Sequence, residues 1–310
     1  MADFKFLKNP VSGRWTIIAP RRAKRPDVSR KASPLCPFCI GREKEEPDVY
    51  RVGGSSGDSN WQIRVVPNKF PFAPIHEIII HSPDHHKNFD ELPQDQSELI
   101  FQTYLQRYNL YKNKGQVYIF HNRGEAAGES LPHPHTQLTV IPNKVKMNIP
   151  YLDPSLTRLF GRFRQAILGV GPEKEKQVQV ETKHFYLFSP KTSQWPDEVW
   201  TAPKKRARFF GQISKDEISD LAYTISRLIQ ILDLRHGHEF PFNFYIYPGL
   251  DWYLRLIPRA KSLGGFEIGT GIYINTQGPE ETIEFIKEHF QTPDEEKIRR
   301  EHQALYKRSV

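Results

Sequence analysis

His133, His135 and Gln137 stand at alternate positions in the run Ser130-Leu-Pro-His-Pro-His-Thr-Gln137. On an extended strand, residues i, i+2 and i+4 face the same way, so this spacing predicts two imidazoles and a carboxamide in a row. Pro134 fixes its own φ and pushes His133 toward an extended conformation. The preceding stretch holds Gly124, Gly128 and Ser130. It reads as a small-residue loop whose backbone N–H groups could approach an anion. A neutral imidazole is a good nucleophile toward phosphorus, and its phosphorylated form is a reactive donor. Phosphoryl and nucleotidyl transfer also need donors on the non-bridging oxygens. Ser130, the loop N–H groups and the Gln137 amide could supply them. Gln137 has no useful pKa, so it would stabilise an intermediate without activating water.

These groups need strands to carry them. Gln116–Phe120 reads as one strand entering the loop, and an alternating strand leaves it and ends at Pro142. A hairpin is expected over 4–19, with strands at Gln62–Val66 and Glu77–Ile80 and a helix over about 93–112. Further on, a short helix is expected over 154–168 and a polar connector over 169–182. Strands follow at His184–Phe188 and Glu198–Thr201. A capping box, Ser214-x-x-Glu217, opens a long helix that ends at Gly237. Its core face is Ile218, Leu221, Ile225, Leu228, Ile229 and Leu232. Strands Asn243–Tyr247 and Trp252–Ile257 come next. Lys261–Asn275 reads as a Gly-rich loop feeding a strand, without Walker or GxGxxG spacing. From 291 on, the chain reads as a charged helical tail.

The two halves repeat a plan. In each, a helix precedes an aromatic strand, a turn and a strand ending Ile-Pro. Aligning Val140-Ile-Pro142 with Leu256-Ile-Pro258 sets His133, His135 and Gln137 opposite Gly249, Asp251 and Tyr253. The simplest reading is an α+β fold of two tandem repeats, residues 1–150 with a live site and 151–310 with a degenerate one.

The 310 residues are 38% hydrophobic and 26% charged, an ordinary globular balance. No apolar run is long enough for a transmembrane helix and no secretory signal is seen, so the default expectation is cytoplasmic. A formal charge of +8 suits anionic partners, but there is no nucleic-acid-binding module. The two cysteines form Cys36-Pro-Phe-Cys39 in a Pro-rich segment. Such a pair is either redox-active or half of a zinc knuckle that needs two more ligands.

The motif Ser130-x-Pro-His-Pro-His-x-Gln137 resembles the active site of the galactose-1-phosphate uridylyltransferase branch of the histidine-triad superfamily. Further resemblances run along most of the chain. They imply that His135 takes the nucleotidyl group, with Gln137 and Ser130 on the phosphoryl oxygens. Asn122 would contact phosphate or the leaving group. Ala23 and Arg25, in Arg-Ala-Lys-Arg-Pro, and Asn68 would contact the nucleotide. A Ser-Pro-x-His pattern implies His85 as a zinc ligand. His85 and His133 then complete a Cys2His2 set with Cys36 and Cys39, a structural zinc site anchoring the strand of His135. His81 and His86 are neighbouring candidates. The string Gly-Phe-Glu-Ile-Gly-Thr-Gly resembles the sugar-phosphate loop of this family, in the form seen in ADP-glucose phosphorylases. It implies Lys261 on phosphate, Glu267 on sugar hydroxyls and Phe266 packed nearby. The family also implies tandem histidine-triad-like motifs and a homodimer.

The implied reaction is ping-pong transfer through a nucleotidyl-histidine, between a nucleoside diphosphate sugar and a sugar 1-phosphate. UDP-glucose with galactose 1-phosphate leads, and phosphorolysis of ADP-glucose is the alternative. A histidine-triad dinucleotide hydrolase would call for histidine at 137. A zinc-stabilised nucleotide-binding protein without turnover is the third class. The chain departs from relatives that carry a second metal site in the second half. It has Asp251-Trp-Tyr253 and Arg206 there, so a second metal is expected to be absent and an Arg206–Asp251 ion pair to replace it.

Overall fold

The computed structural model describes residues 4–25, 36–150, 152 and 180–307, with side chains as far as Glu301. The helix and most of the connector expected over 154–182 lie outside them, as does Pro26. Among the described residues twelve strands run in chain order: β1 Lys5–Lys8, β2 Trp15–Ile18, β3 Tyr50–Val52, β4 Ile63–Pro67, β5 Ile75–Ile80, β6 Gln116–Arg123, β7 His135–Ile141, β8 Val180–Glu181, β9 Phe185–Phe188, β10 Val199–Pro203, β11 Phe242–Ile246 and β12 Leu254–Pro258. The helices are α1 Gln94–Tyr111, α2 Lys215–His236, α3 Gly265–Thr270, α4 Pro279–His289 and α5 Glu295–Lys307.

β1 and β2 form the expected hairpin. The other ten strands make one antiparallel sheet in the order β3-β4-β5-β7-β6-β11-β12-β10-β9-β8. This order reads as two five-strand sets related by a pseudo-two-fold between β6 and β11. The seam is antiparallel, with Asn243 opposite Asn122 and Tyr245 opposite Phe120.

Strict alternation sorts the two faces. Ile119, Leu138, Val140, Phe244 and Leu256 join the main core with Ile100, Phe101 and Tyr104 of α1 and Leu221, Ile225 and Leu228 of α2. Tyr108 of α1 joins them in the core. α2 begins as its sequence requires. Glu217 N–H donates to Ser214 Oγ, and Ser214 N–H donates to the Glu217 carboxylate. Gly237 ends it at φ 98°. The opposite face carries His76, His135, Gln137, Phe120 and Asn122, and so the candidate site residues of β6 and β7.

Two expectations need correction. β7 begins at His135, not at His133. Pro134 has no N–H for a ladder, and its carbonyl accepts instead from His81 N–H at 3.1 Å. The stretch after Lys261 is not a loop feeding a strand. Glu267 accepts from Gly264 N–H at 3.1 Å and nucleates α3. The β-branched residues that suggested a strand, Ile272 and Ile274, are exposed.

Candidate functional site

His135 opens β7 and is 5% exposed. Its Nδ1–H donates to the His133 carbonyl at 2.8 Å. That contact fixes the tautomer and leaves the lone pair on Nε2. Burial pulls the imidazole down to about 4, with the Arg25 charge adding to the effect. The ring is therefore neutral at pH 7, with its nucleophilic nitrogen free. The edge of Phe38 packs 5.4 Å from it, centroid to centroid.

Gln137 follows on the same face of β7. Its Oε1 accepts from His76 Nε2–H at 2.9 Å. His76 lies on β5, buried, and is held neutral at about 4 first by burial. Asn68 brings its amide nitrogen to within 3.2 Å of the same ring nitrogen and accepts Phe70 N–H. Phe72 meets the His76 ring edge-on at 4.4 Å. Arg22 lies over Phe72 at 4.9 Å and donates to Phe70 O. Asn68 thus lies against the ring of His76, which the motif reading missed. The signal was its place two and four residues before Ile78 and Ile80, on the strand paired with β7. Arg22 was also missed. Ala23 is exposed and Arg25 half-buried, in and just after a short 3-10 turn over Pro20–Lys24.

Asn122 sits on β6, not in the loop after it. Ser130 is half-buried in that loop. Arg123 ties the loop down by donating to Pro132 O at 3.0 Å, and Glu129 accepts Gly124 N–H at 2.8 Å.

Cys36, Cys39, His85 and His133 converge, with one ligand atom from each within 4.8 Å of all the others. Cys39 Sγ lies 3.1 Å from His85 Nδ1 and 3.7 Å from His133 Nδ1. His133 Nε2–H donates to Ser82 O at 2.9 Å, which aims its Nδ1 at the cluster. Burial pushes the Cys36 thiol up to about 12, so a cation is what would hold it as thiolate. Two sulfurs and two imidazole nitrogens suit a tetrahedral metal. His81 turns to the helix face instead, within 2.8 Å of Thr136 Oγ1 and 3.1 Å of Tyr104 Oη. His86 is exposed.

In the second half Arg206 Nε lies 3.1 Å from Asp251 Oδ1, the expected pair. Asp251 is buried and left-handed at φ 59°. It also accepts Ala207 N–H at 2.6 Å. Lys261 meets Glu267 at 3.4 Å and donates to Ile274 O. Phe266, two residues into α3, is 52% exposed. Among the described residues no helix is long and apolar enough to cross a membrane.

A family profile described as "Galactose-1-phosphate uridyl transferase, N-terminal domain" matches residues 75–140, from β5 through β7. An ADP-glucose phosphorylase of Arabidopsis thaliana is 27% identical over 91% of this chain and 92% of its own length. A galactose-1-phosphate uridylyltransferase of Thermotoga maritima is 24% identical over 90% and 96%. The solved structure of the Arabidopsis phosphorylase with bound ADP-glucose superposes with a TM-score of 0.66, covering 92% of this chain and 99% of that one. A uridylyltransferase structure at 19% identity reaches 0.70, a likeness of fold. The fold is the mixed α+β, large-sheet fold of these uridylyltransferase-like structures, of histidine-triad type. Along most of its length the chain is similar to galactose-1-phosphate uridylyltransferases and to an ADP-glucose phosphorylase.

Proposed function

We propose that this protein is a nucleotidylyltransferase acting through a nucleotidyl-histidine. One observation carries the reading: a buried, neutral His135 whose Nδ1–H is held by the His133 carbonyl, leaving Nε2 free beside Gln137. Nε2 attacks the α-phosphorus of a nucleoside diphosphate sugar. The N–P bond forms, the bond from that phosphorus to the bridging oxygen breaks, and the sugar 1-phosphate leaves with the electron pair. Positive charge spreads over the ring to Nδ1–H, where the carbonyl stabilises it. A phosphate oxygen of the acceptor then attacks phosphorus and the N–P bond breaks. Holding ring and phosphate together replaces a bimolecular encounter by an oriented one.

Gln137, Ser130 and Asn122 serve the phosphoryl oxygens. Ala23, Arg25 and Asn68 serve the nucleotide, and Lys261, Phe266 and Glu267 the sugar phosphate. Cys36, Cys39, His85 and His133 would hold zinc, whose contribution there is to anchor the turn before His135. Residues 1–150 act as the working repeat and 151–310 as the degenerate one.

For the donor, adenylyl transfer from ADP-glucose to phosphate is the better supported reading. It rests on the 27% identity to the Arabidopsis phosphorylase over 91% of the chain and on the Gly-Phe-Glu-Ile-Gly-Thr-Gly string. Uridylyl transfer between UDP-glucose and galactose 1-phosphate is the second, supported by the Thermotoga relative. Intact-protein mass spectrometry after brief mixing with each donor separates them. An AMP-sized adduct absent from His135→Ala is expected with ADP-glucose. A UMP-sized adduct instead would reverse the order, and no adduct from either donor would sink the covalent mechanism.

A further inference from the structure

Asn122 on β6 faces Asn243 on β11 across the seam. Two of the three contacts of the Asn243 amide have partners whose polarity is fixed by their chemistry. Its Nδ2 donates to the Ala127 carbonyl at 2.8 Å, which can only accept. Its Oδ1 accepts from Arg259 Nη1 at 3.1 Å, which can only donate. Asn243 therefore has one allowed orientation. Its third contact, Nδ2–H to Asn122 Oδ1 at 2.9 Å, then leaves Asn122 one orientation too. The Asn122 carbonyl is committed to Asn243, and its NH2 group is the free end. That end lies toward the loop before His135, since a Cβ at Gly128 would sit 3.9 Å from Asn122 Nδ2. Arg259 is braced in turn. Its guanidinium lies 4.5 Å over the Trp195 ring, and its backbone N–H donates to Pro241 O at 2.7 Å.

We infer that Asn243 and Arg259 are positioning residues for the phosphate site of the other half. They hold Asn122 with its N–H bonds, and never its lone pairs, toward a phosphoryl oxygen. A donor fixed in advance stabilises developing charge without reorganising, whereas a turned amide would set oxygen against oxygen. The inference rests on the nucleotidyl-transfer reading, in which Asn122 meets phosphate. It gives the second half a part in the chemistry although its own imidazoles are gone.

The test compares wild type, Asn243→Asp, Asn122→Ala and the double variant. Asp keeps the volume of Asn and an acceptor for Arg259, but it cannot donate to Asn122 or Ala127. Adduct formation is followed by quenched mixing with ADP-glucose and with UDP-glucose. The expected result for Asn243→Asp is a loss of about 30-fold in the rate of the covalent step, with KM for the donor held within about threefold. The double variant should be no slower than Asn122→Ala, within about twofold, because one residue acts through the other. Arg259→Gln should show a smaller loss that vanishes in the Asn122→Ala background. An Asn243→Asp rate equal to wild type overturns the inference, as do losses that multiply in the double variant. The same proteins are titrated with AMP and UMP, without turnover. Weaker binding in Asn243→Asp only when Asn122 is present supports the relay; equal weakening in both backgrounds overturns it. A wild type that neither loads nor binds a nucleotide fells the catalytic reading and the relay with it. A wild type that loads while Asn243→Asp matches it fells the relay alone.

Discussion

The sheet has two equivalent corners, and they have been filled in opposite ways. His76 pairs with Thr139 in one half as Trp200 pairs with Arg255 in the other, so His76 and Trp200 are counterparts. By the same register Gln137 corresponds to Tyr253 and His135 to Asp251. In the first corner His76 and Gln137 share a hydrogen bond. In the second, Trp200 and Tyr253 stack at 4.3 Å with an 11° tilt. In the first, Cys36, Cys39, His85 and His133 gather ligand atoms. In the second, Arg206 and Asp251 make a buried ion pair. One backbone plan thus carries polar and metal-ligand side chains in one place, and in its twin an aromatic stack and a charge pair. The lesson is that the fold alone does not make the chemistry; the residues at a few registers do.

The sharpest way to break this comparison is His135→Ala. Turnover and adduct should fall by at least about 10⁴-fold, because the proposed nucleophile is lost; kinetics with both donors check it. Asp251→Ala at the equivalent register should leave the adduct-forming step within about threefold once the protein is folded.

Metal removal comes next. Strong chelation, or Cys39→Ser, should lower the melting temperature and slow adduct formation, since the turn holding His133 loses its anchor. Calorimetry with metal analysis checks this. Arg206→Met should instead cost about 3 kcal/mol of stability by leaving Asp251 buried and unpaired, with no change in metal content. Denaturant titration reads that difference.

Acid provides a third distinction. His76 and His135 both sit at about 4 in the folded chain, below the ordinary 6.5. An unfolded chain takes up those protons first. The stability they carry is complete above pH 6.5 and is lost as pH falls from there through about 4. The covalent step needs the same neutral ring, so its rate should hold to about pH 5 and drop below about 4. A pre-steady-state pH profile checks this, and a midpoint near 6.5 would contradict the burial argument. The smallest effect concerns His76. His76→Leu should slow the covalent step by about tenfold, while His76→Gln, which keeps a donor near Nε2, should stay within about threefold.

Much of this was legible from side-chain period and cap chemistry. α2 announced itself through Ser214, Glu217 and Gly237, and the six apolar positions between them all lie in the core. β7 showed in its alternation and the Cys36–Cys39 pair in its spacing, while His85 and His133 as its companions came from the resemblance. What stayed hidden was set by pairing across long separations. Nothing local says that His76 will lie beside Gln137, because that depends on β5 joining β7 in one register. Nothing near Asn243 says that it meets Asn122. α3 was misread for a related reason. Ile272 and Ile274 have strand propensity, but a strand needs a partner, and the Glu267 cap on Gly264 decides the local structure instead.

The seam has a further consequence, for how the chain folds. Asn122 and Asn243 are 121 residues apart, and the whole β6–β11 pairing has separations of that order. Contacts so distant carry a large loop-closure cost and form late. The four candidate metal ligands all lie between residues 36 and 133, so they can assemble before the halves meet. The order of events is then built into the topology: a first half able to bring its four candidate metal ligands together early, and an Asn122 amide whose orientation is fixed only when the second half docks.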